Sequence, residues 1–343
     1  MRYLVFGSGA VGSYLGVQLA LSGQPVSFLT RQHHLDWLRE RGFTLTGVGS
    51  QKHLPHPSVY ADFPQALAKE KPDLILITVK AYDLEGAVRT IGKLHDGTQA
   101  VVSFLNGINN EARLAGELGE NNVIPATLTT AVQMPEPGVI RAERVRGIGL
   151  SGNHKDLTRF HSELKAAGFL VRQYPDAERM KWSKLLTNIV SNATSAILGW
   201  SPKQVFDHPI TAKLEIDALR EAVLVMHRLG LRPHDLPRVR VGLLGQAIFL
   251  PTMLTRIILG QIVSKGRGEK KPSFHYDIGR GRSEIEWLNG AVVKFGAMLG
   301  INTPVNQALT ETLLELVHRQ CPHDAYLNQP EKLLERIPGK ASL

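Results

Sequence analysis

Only one cysteine, Cys321, occurs in 343 residues. That excludes a disulfide framework and fits a reducing compartment. No signal-peptide pattern opens the sequence: "MRYLVFGSGAVG" runs directly into a strand and a glycine loop, so a cytoplasmic protein is expected. A basic cluster is also missing. The formal net charge is +9, but Lys and Arg are scattered, and the densest run is "SKGRGEKKP" at 264–272. A nucleic-acid surface needs clustering with aromatics interleaved, so no nucleic-acid partner is expected, whereas a general basic bias suits small anionic ligands. The longest apolar stretch, "VGLLGQAIFLPTMLTRIILGQIV" at 241–263, is interrupted by Gln246, Pro251 and Arg256. It reads as two buried helices meeting near Pro251 rather than a membrane span, packed within a helical domain or at a homodimer interface. The histidines, among them His33, His34, His53, His56 and His154, show no ligand spacing with cysteine or carboxylate, and no metal site is expected.

What is present divides in two. The first half alternates apolar β-type runs with helical stretches: "YLVFG" (3–7), "PVSFLTR" (25–31), "LILITVK" (74–80), "AVVSFLN" (100–106) and "VIPATLTTAV" (123–132). Several are apolar on both faces, as in a parallel sheet covered by helices, which predicts a Rossmann-type doubly wound α/β domain. "GVIRAERVRGIGLSG" (138–152) reads as antiparallel. A helix near 155–167 and a strand at 169–174 complete the domain. From about 177 the patterns are helical, with helices over 178–198, 208–229, 252–264, 283–300 and 305–319 and a short one near 330–336. The expected division is therefore 1–175, a nucleotide-binding α/β domain, and 176–343, an all-α substrate domain.

"YLVFGSGAVG" holds G-x-G-x-x-G as Gly7, Gly9 and Gly12, with Ser8, Ala10 and Val11 between them. It follows a strand and opens a helix, the context in which this spacing carries weight. Gly7 permits the turn, Gly9 lets a pyrophosphate approach the backbone, and Gly12 allows close helix–strand packing. The second strand lacks the acid that would hold a ribose 2′-hydroxyl. It ends "FLTRQHH", with Arg31 and no acid until Asp36, and an arginine there accepts a 2′-phosphate. NADP(H) is thus expected over NAD(H). Lys80 and Asn106 end two further strands, where ligands of open α/β sheets bind; each is also compatible with ordinary strand termination.

"KWSKLLTNIVSN" (181–192) reads as a helix with Lys184, Asn188 and Asn192 four apart, drifting only roughly 40° per step and so sharing one face. Two readings stand side by side. The stripe is one wall of a substrate site, with Lys184 as proton donor to a carbonyl, or it faces solvent. In "SEIEWLNGAVV" Ser283 reads as an N-cap with Glu286 closing a capping box, and Glu284 as a first-turn acid.

Taken together, "GSGAVGSYLG", "ITVKAYD", "SFLNGI", "KWSKLLTNIVSN", "SEIEWLNGAVV" and "GINTPVN" stand in an order that resembles the ketopantoate reductase (2-dehydropantoate 2-reductase) family, from residue 1 to about 306. The resemblance implies NADPH-dependent reduction of a small 2-oxo acid to D-pantoate, on the route to pantothenate and coenzyme A. It implies Lys184 as general acid, Asn188 and Asn192 as substrate-binding asparagines, and Glu284 as the glutamate of a T-E-I-D-like motif that anchors substrate. It implies Ser273 near the substrate carboxylate, Asn106 beside nicotinamide and substrate, and Lys80 and Arg31 on the NADP phosphate. Three departures lie on the substrate side. The segment from Asp277 to Glu284 is one residue shorter than usual, Lys270 stands where the family often has asparagine, and the T-T-x-G-A-like turn is "LTTAVQMPEPG". They leave room for another 2-oxo acid. A non-catalytic NADP(H) sensor is the remaining alternative, one that has no need of a proton donor.

Overall fold

The structure is a computed structural model that describes residues 1–47, 49–94, 97–266 and 271–338, without the side chains of 264–266. Lys270 and residues 339–343, on which two of the sequence readings fall, lie outside the described residues. The chain forms two compact units, Met1–Met180 with Leu236–Val239, and Lys181–Asp235 with Arg240–Leu343.

The first unit holds twelve strands among its described residues: β1 (Tyr3–Phe6), β2 (Val26–Leu29), β3 (Phe43–Thr46), β4 (Lys52–Leu54), β5 (Ser58–Tyr60), β6 (Leu74–Ile77), β7 (Ala100–Ser103), β8 (Val123–Leu128), β9 (Ala131–Glu136), β10 (Val139–Arg144), β11 (Ile148–Ser151) and β12 (Val171–Tyr174). Its helices are α1 (Ala10–Leu21), α2 (Gln32–Arg41), α3 (Phe63–Glu70), α4 (Leu84–Gly92), α5 (Asn110–Leu118) and α6 (Leu157–Ala166). Eight strands make one sheet in the order β12-β11-β8-β7-β6-β1-β2-β5. The strands from β5 to β8 are parallel, and β1, β6 and β7 are buried at every residue because helices cover both faces.

The antiparallel expectation for 138–152 holds in two places: β10 runs against β9, and β11 against β8. The run 123–132 is not one strand. It ends at Leu128 and resumes as β9 in a second sheet of order β4-β3-β10-β9. That small sheet escapes a search for apolar runs because its outer strands are short or polar. β9 and β10 are joined by Pro137 and Gly138, whose φ of +75° suits a tight hairpin.

The second unit is helical: α7 (Ala177–Ile189), which begins in the last residues of the first unit, α8 (Asn192–Leu198), α9 (Pro202–Asp207), α10 (Pro209–Arg228), α11 (Val241–Ala247), α12 (Thr252–Gly266), α13 (Asn289–Met298), α14 (Pro304–Val317) and α15 (Pro330–Glu335). Three expectations need correction. The helix expected over 178–198 is broken at Val190–Ser191, where Ser191 takes φ +52°. The helix expected from 283 begins at Asn289, after a 3₁₀ turn over Ile285–Trp287, and no capping box forms at Ser283. The apolar run 241–263 does form two helices around Pro251, but they are not both buried: Met253 is 77% exposed. No described helix is long and apolar enough to cross a membrane.

Candidate active site

Four strand ends of the large sheet lie on one line. Phe6 is paired with Leu29 on one side and Ile77 on the other, and Ile77 with Ser103. Gly7, Arg31, Lys80 and Asn106 therefore sit one to three residues beyond adjacent carboxyl ends. Neighbouring strands are about 4.8 Å apart, so the row from β2 to β7 spans roughly 14 Å, the scale of an extended dinucleotide. The strand order reverses direction at β1, which leaves the crevice between β1 and β6.

The glycine turn is built as its spacing requires. Gly7 has φ +109°. A Cβ at Gly12 would collide with the Gly7 carbonyl and Thr78 Oγ1, and would stand 2.8 Å from Val5. A Cβ at Gly9 would meet nothing within 4 Å. Thr78 Oγ1 donates to the Gly7 carbonyl at 2.7 Å, and Ser8 N–H to the Leu29 carbonyl at 3.1 Å, pinning the turn to both flanking strands. Ser13 Oγ donates back to the Ser8 carbonyl at 2.9 Å. At the start of α1, Gly9 makes no side-chain cap and the first turn, with Ala10 and Val11, carries no acid. Open space over Gly9 and an acid-free helix N-terminus fit a phosphate-bearing cofactor.

Arg31 is the N-cap residue of α2, and its Nη2 lies 3.8 Å from Asp83 Oδ2 in the loop after β6. Lys80 caps that same 3₁₀ turn, Ala81–Asp83, and is exposed. Arg31 thus reaches across the end of β1 toward the loop that carries Lys80. The half-buried Asn106 accepts at its carbonyl from Asn110 Nδ2 at 2.8 Å, and Gly107 after it takes φ +92°. Thr78 and Asp83 were not singled out in the sequence. Their signal is their place, within six residues of the apolar run that ends at Ile77.

In the second unit, α7 buries Trp182, Leu185, Leu186 and Ile189, and Trp182 meets Phe295 edge-on at 5.4 Å. Lys184 and Asn188, one turn apart on this unbroken helix, are both half-buried. Asn192 is not on that helix. It opens α8, past the break, and is 4% exposed. Its Nδ2 donates to Ser273 Oγ at 3.2 Å, and its Oδ1 accepts from Phe274 N–H at 3.2 Å. Asn192 and Ser273 are thereby brought together, with most of the Asn192 carboxamide spent on the 3₁₀ turn Ser273–Tyr276. In that turn, burial first, then the charges of Lys271 and His323, hold His275 below the usual imidazole range.

Glu284 is buried and directly follows Ser283, whose Oγ donates to Asp277 Oδ2 at 2.9 Å and accepts from Ile285 N–H at 3.3 Å. This bond closes the 277–284 segment. Two buried glutamates of α10 support the region. Glu215 Oε2 accepts the Ser191 N–H at 2.7 Å, at the break before Asn192. Glu221 accepts the N–H groups of Val305 and Asn306, both at 2.9 Å, in the first turn of α14, where a carboxylate complements the helix dipole. Sequence periodicity gives no warning of either, since both fall on the buried side of α10.

Residues 3–151 match the family described as ketopantoate reductase PanE/ApbA, and residues 176–317 match its C-terminal region. The chain belongs to the ketopantoate reductase family. The 2-dehydropantoate 2-reductase of Pyrococcus horikoshii is 27% identical to it over 312 residues, 89% of this chain and 94% of that protein. That of Halobacterium salinarum is 27% identical over 325 residues, 93% and 99% of the two. The crystal structure of a PanE/ApbA family ketopantoate reductase from Ralstonia eutropha superposes with a TM-score of 0.79 at 25% identity, covering 93% and 99%. A ternary structure of D-mandelate dehydrogenase with NADH and anilino(oxo)acetate shares the fold, with a TM-score of 0.74 at 20% identity over 95% and 99%. As a ketopantoate reductase family member the chain is an oxidoreductase that depends on a nicotinamide cofactor and acts on a small substrate.

Proposed function

We propose that this chain reduces a 2-oxo acid with NADPH, and that the acid is 2-dehydropantoate, giving D-pantoate. The observation that carries the reading is Lys184, an ammonium half-buried on the polar side of a helix whose Trp182, Leu185, Leu186 and Ile189 lie in the core, one turn before Asn188. The nicotinamide supplies a hydride to the keto carbon. Lys184 donates a proton to the carbonyl oxygen as negative charge develops there. Asn188 hydrogen-bonds the substrate, and Asn106 orients it from the nucleotide side. Ser273 takes the carboxylate. Asn192 acts largely through Ser273 and the Phe274 N–H, and so sets where that hydroxyl stands. Glu284 anchors the substrate's polar end. Gly7, Ser8, Gly9, Ala10, Val11 and Gly12 receive the pyrophosphate, and Arg31 and Lys80 the 2′-phosphate. The missing acid at the end of β2 and the Arg31 guanidinium at the start of α2 support NADP(H) over NAD(H).

The test is oxidation of NADPH followed with 2-dehydropantoate beside pyruvate-like, branched and aromatic 2-oxo acids, and repeated with NADH. Highest kcat/KM for 2-dehydropantoate with NADPH is the expected result. A better aromatic or branched acid would keep the chemistry and change the substrate. NADPH binding with no turnover across the panel would favour a sensor.

A further inference from the structure

One cation of the first unit stands without a counter-charge. Arg146, in the link from β10 to β11, is half-buried. Among the described residues its guanidinium has no hydrogen-bond or ion-pair partner, and the charge that acts on it is another arginine, Arg144. Burial first, then that like charge, hold it below the usual guanidinium range, yet an arginine stays charged at neutral pH. A half-buried charge with no partner works against the fold, and such groups gather where an ion of opposite sign is to be met.

The backbone fixes its place on both sides. Arg146 N–H donates to Thr130 Oγ1 at 2.9 Å, and the Thr130 hydroxyl bonds that of Tyr14, one turn into α1. The Gly147 carbonyl accepts from Thr129 N–H at 2.9 Å and from Thr129 Oγ1 at 3.0 Å. Arg238 Nη1 donates to the Val145 carbonyl at 3.1 Å. These contacts set Arg146 at the carboxyl end of β8. That strand is parallel to β7 and lies on the side of it away from β1. Ser103 pairs with Pro125, so Leu128 and Asn106 are both three residues past the last pair.

We propose that Arg146 binds the carboxylate of the 2-oxo acid substrate. The inference rests on the reading above, in which Arg31 holds the 2′-phosphate at β2 and Asn106 stands beside the nicotinamide at β7. The cofactor then runs along the strand ends from β2 to β7. The end of β8 is the next position, about 4.8 Å past the nicotinamide end, which is the place of a hydride acceptor. The carboxylate of a 2-oxo acid adjoins its keto carbon, and its charge calls for a cation once water is excluded. Ser273 offers it a neutral donor. Lys184 is engaged with the keto oxygen, and Arg31 and Lys80 with the 2′-phosphate. Arg146 has no such duty, and its planar fork matches a carboxylate with two parallel hydrogen bonds.

Steady-state kinetics with 2-dehydropantoate and NADPH, together with calorimetric titration of oxamate into the NADP⁺-loaded protein, test this. Oxamate carries a carboxylate beside a carbonyl and is not reduced. Arg146→Met should raise both the KM and the oxamate Kd by roughly 10- to 100-fold, with kcat and NADPH affinity little changed. Its melting temperature without ligand should not fall, because the guanidinium it removes has no partner to lose. Arg146→Lys keeps the charge without the fork and should recover part of the affinity, which also serves if the methionine variant does not fold. Arg141→Met, which removes an exposed arginine of β10, should leave both constants unchanged and so separates a local contact from overall charge. Unchanged KM and oxamate affinity in Arg146→Met would overturn the assignment. So would a loss of NADPH affinity as large as the loss for oxamate, which would give Arg146 to a cofactor phosphate. A wild type that reduces no 2-oxo acid but binds oxamate through Arg146 would sink the reading above and keep this one.

Discussion

The Arg31 guanidinium and the Asp83 carboxylate, 52 positions apart, stand 3.8 Å from each other across the end of β1. Arg31 is 72% exposed, so the pair contributes little to stability, and a phosphate can displace it at small cost. Arg31→Ala is expected to weaken NADPH binding by roughly 10- to 100-fold, the range of a lost charge-assisted hydrogen bond, with NADH little changed. Asp83→Asn should act in the opposite direction, because a carboxylate beside a phosphate is repulsive. Titration of both cofactors against both variants measures the difference. Equal losses for NADPH and NADH would assign Arg31 to another part of the cofactor.

Lys184→Ala should lower kcat by about 10²- to 10⁴-fold and leave NADPH affinity unchanged. Single-turnover measurement separates the chemical step from binding. A variant with wild-type turnover would remove Lys184 from the proton-transfer role.

Asn192→Leu strands the Phe274 N–H and frees the Ser273 hydroxyl. The expected cost is about 1–3 kcal/mol of stability together with a raised substrate KM. Ser273→Ala should raise KM with a smaller effect on stability. If both variants lose only stability, the pair has no part in substrate binding.

Gly9→Ala and Gly12→Ala separate two uses of one motif. The Gly9 variant should fold and melt like the wild type but bind cofactor less tightly, since a methyl there enters only open space. The Gly12 variant should be destabilised outright, because its methyl meets the Gly7 carbonyl and Thr78. Thermal melts with and without NADPH distinguish them.

Glu163 sets an acid limit. Burial alone would raise its carboxyl, but bonds from Tyr3, the Met1 amino group and Arg159 outweigh burial and hold it below the ordinary value of 4.5. Depressed in the folded state, it stabilises fully above 4.5, and that contribution disappears as pH falls through the lower, folded value. Urea unfolding of wild type and Glu163→Gln should therefore differ at neutral pH and converge in strong acid.

The α/β half was legible because its parallel strands are apolar on both faces and each ends in a polar residue. Lys80 and Asn106 could be picked out from that rule, and Gly7 and Arg31 from the glycine spacing and the missing acid. The second sheet was not legible: "FTLT" and "KHL" are short and half polar, and the strand that joins this hairpin to the rest of the sheet, β10, pairs Val139 with Thr44, 95 positions away. In the helical half, Lys184 and Asn188 share a face as their spacing requires. Asn192 does not continue it, because Ser191 turns left-handed and its N–H bonds a glutamate from another helix. Such a break depends on a contact 24 residues distant, which no local period records.

Glu215 and Glu221 make α10 a ruler. Six residues apart on one rigid rod, they index the start of α8 and the start of α14 to each other. An inserted residue between them would swing Glu221 by about 100° and slide it roughly 1.5 Å, so neither helix start could be met at once. The interval between the two carboxylates is thus fixed in length while its outward side chains remain interchangeable, and inheritance of this fold should show substitutions there but no change in spacing.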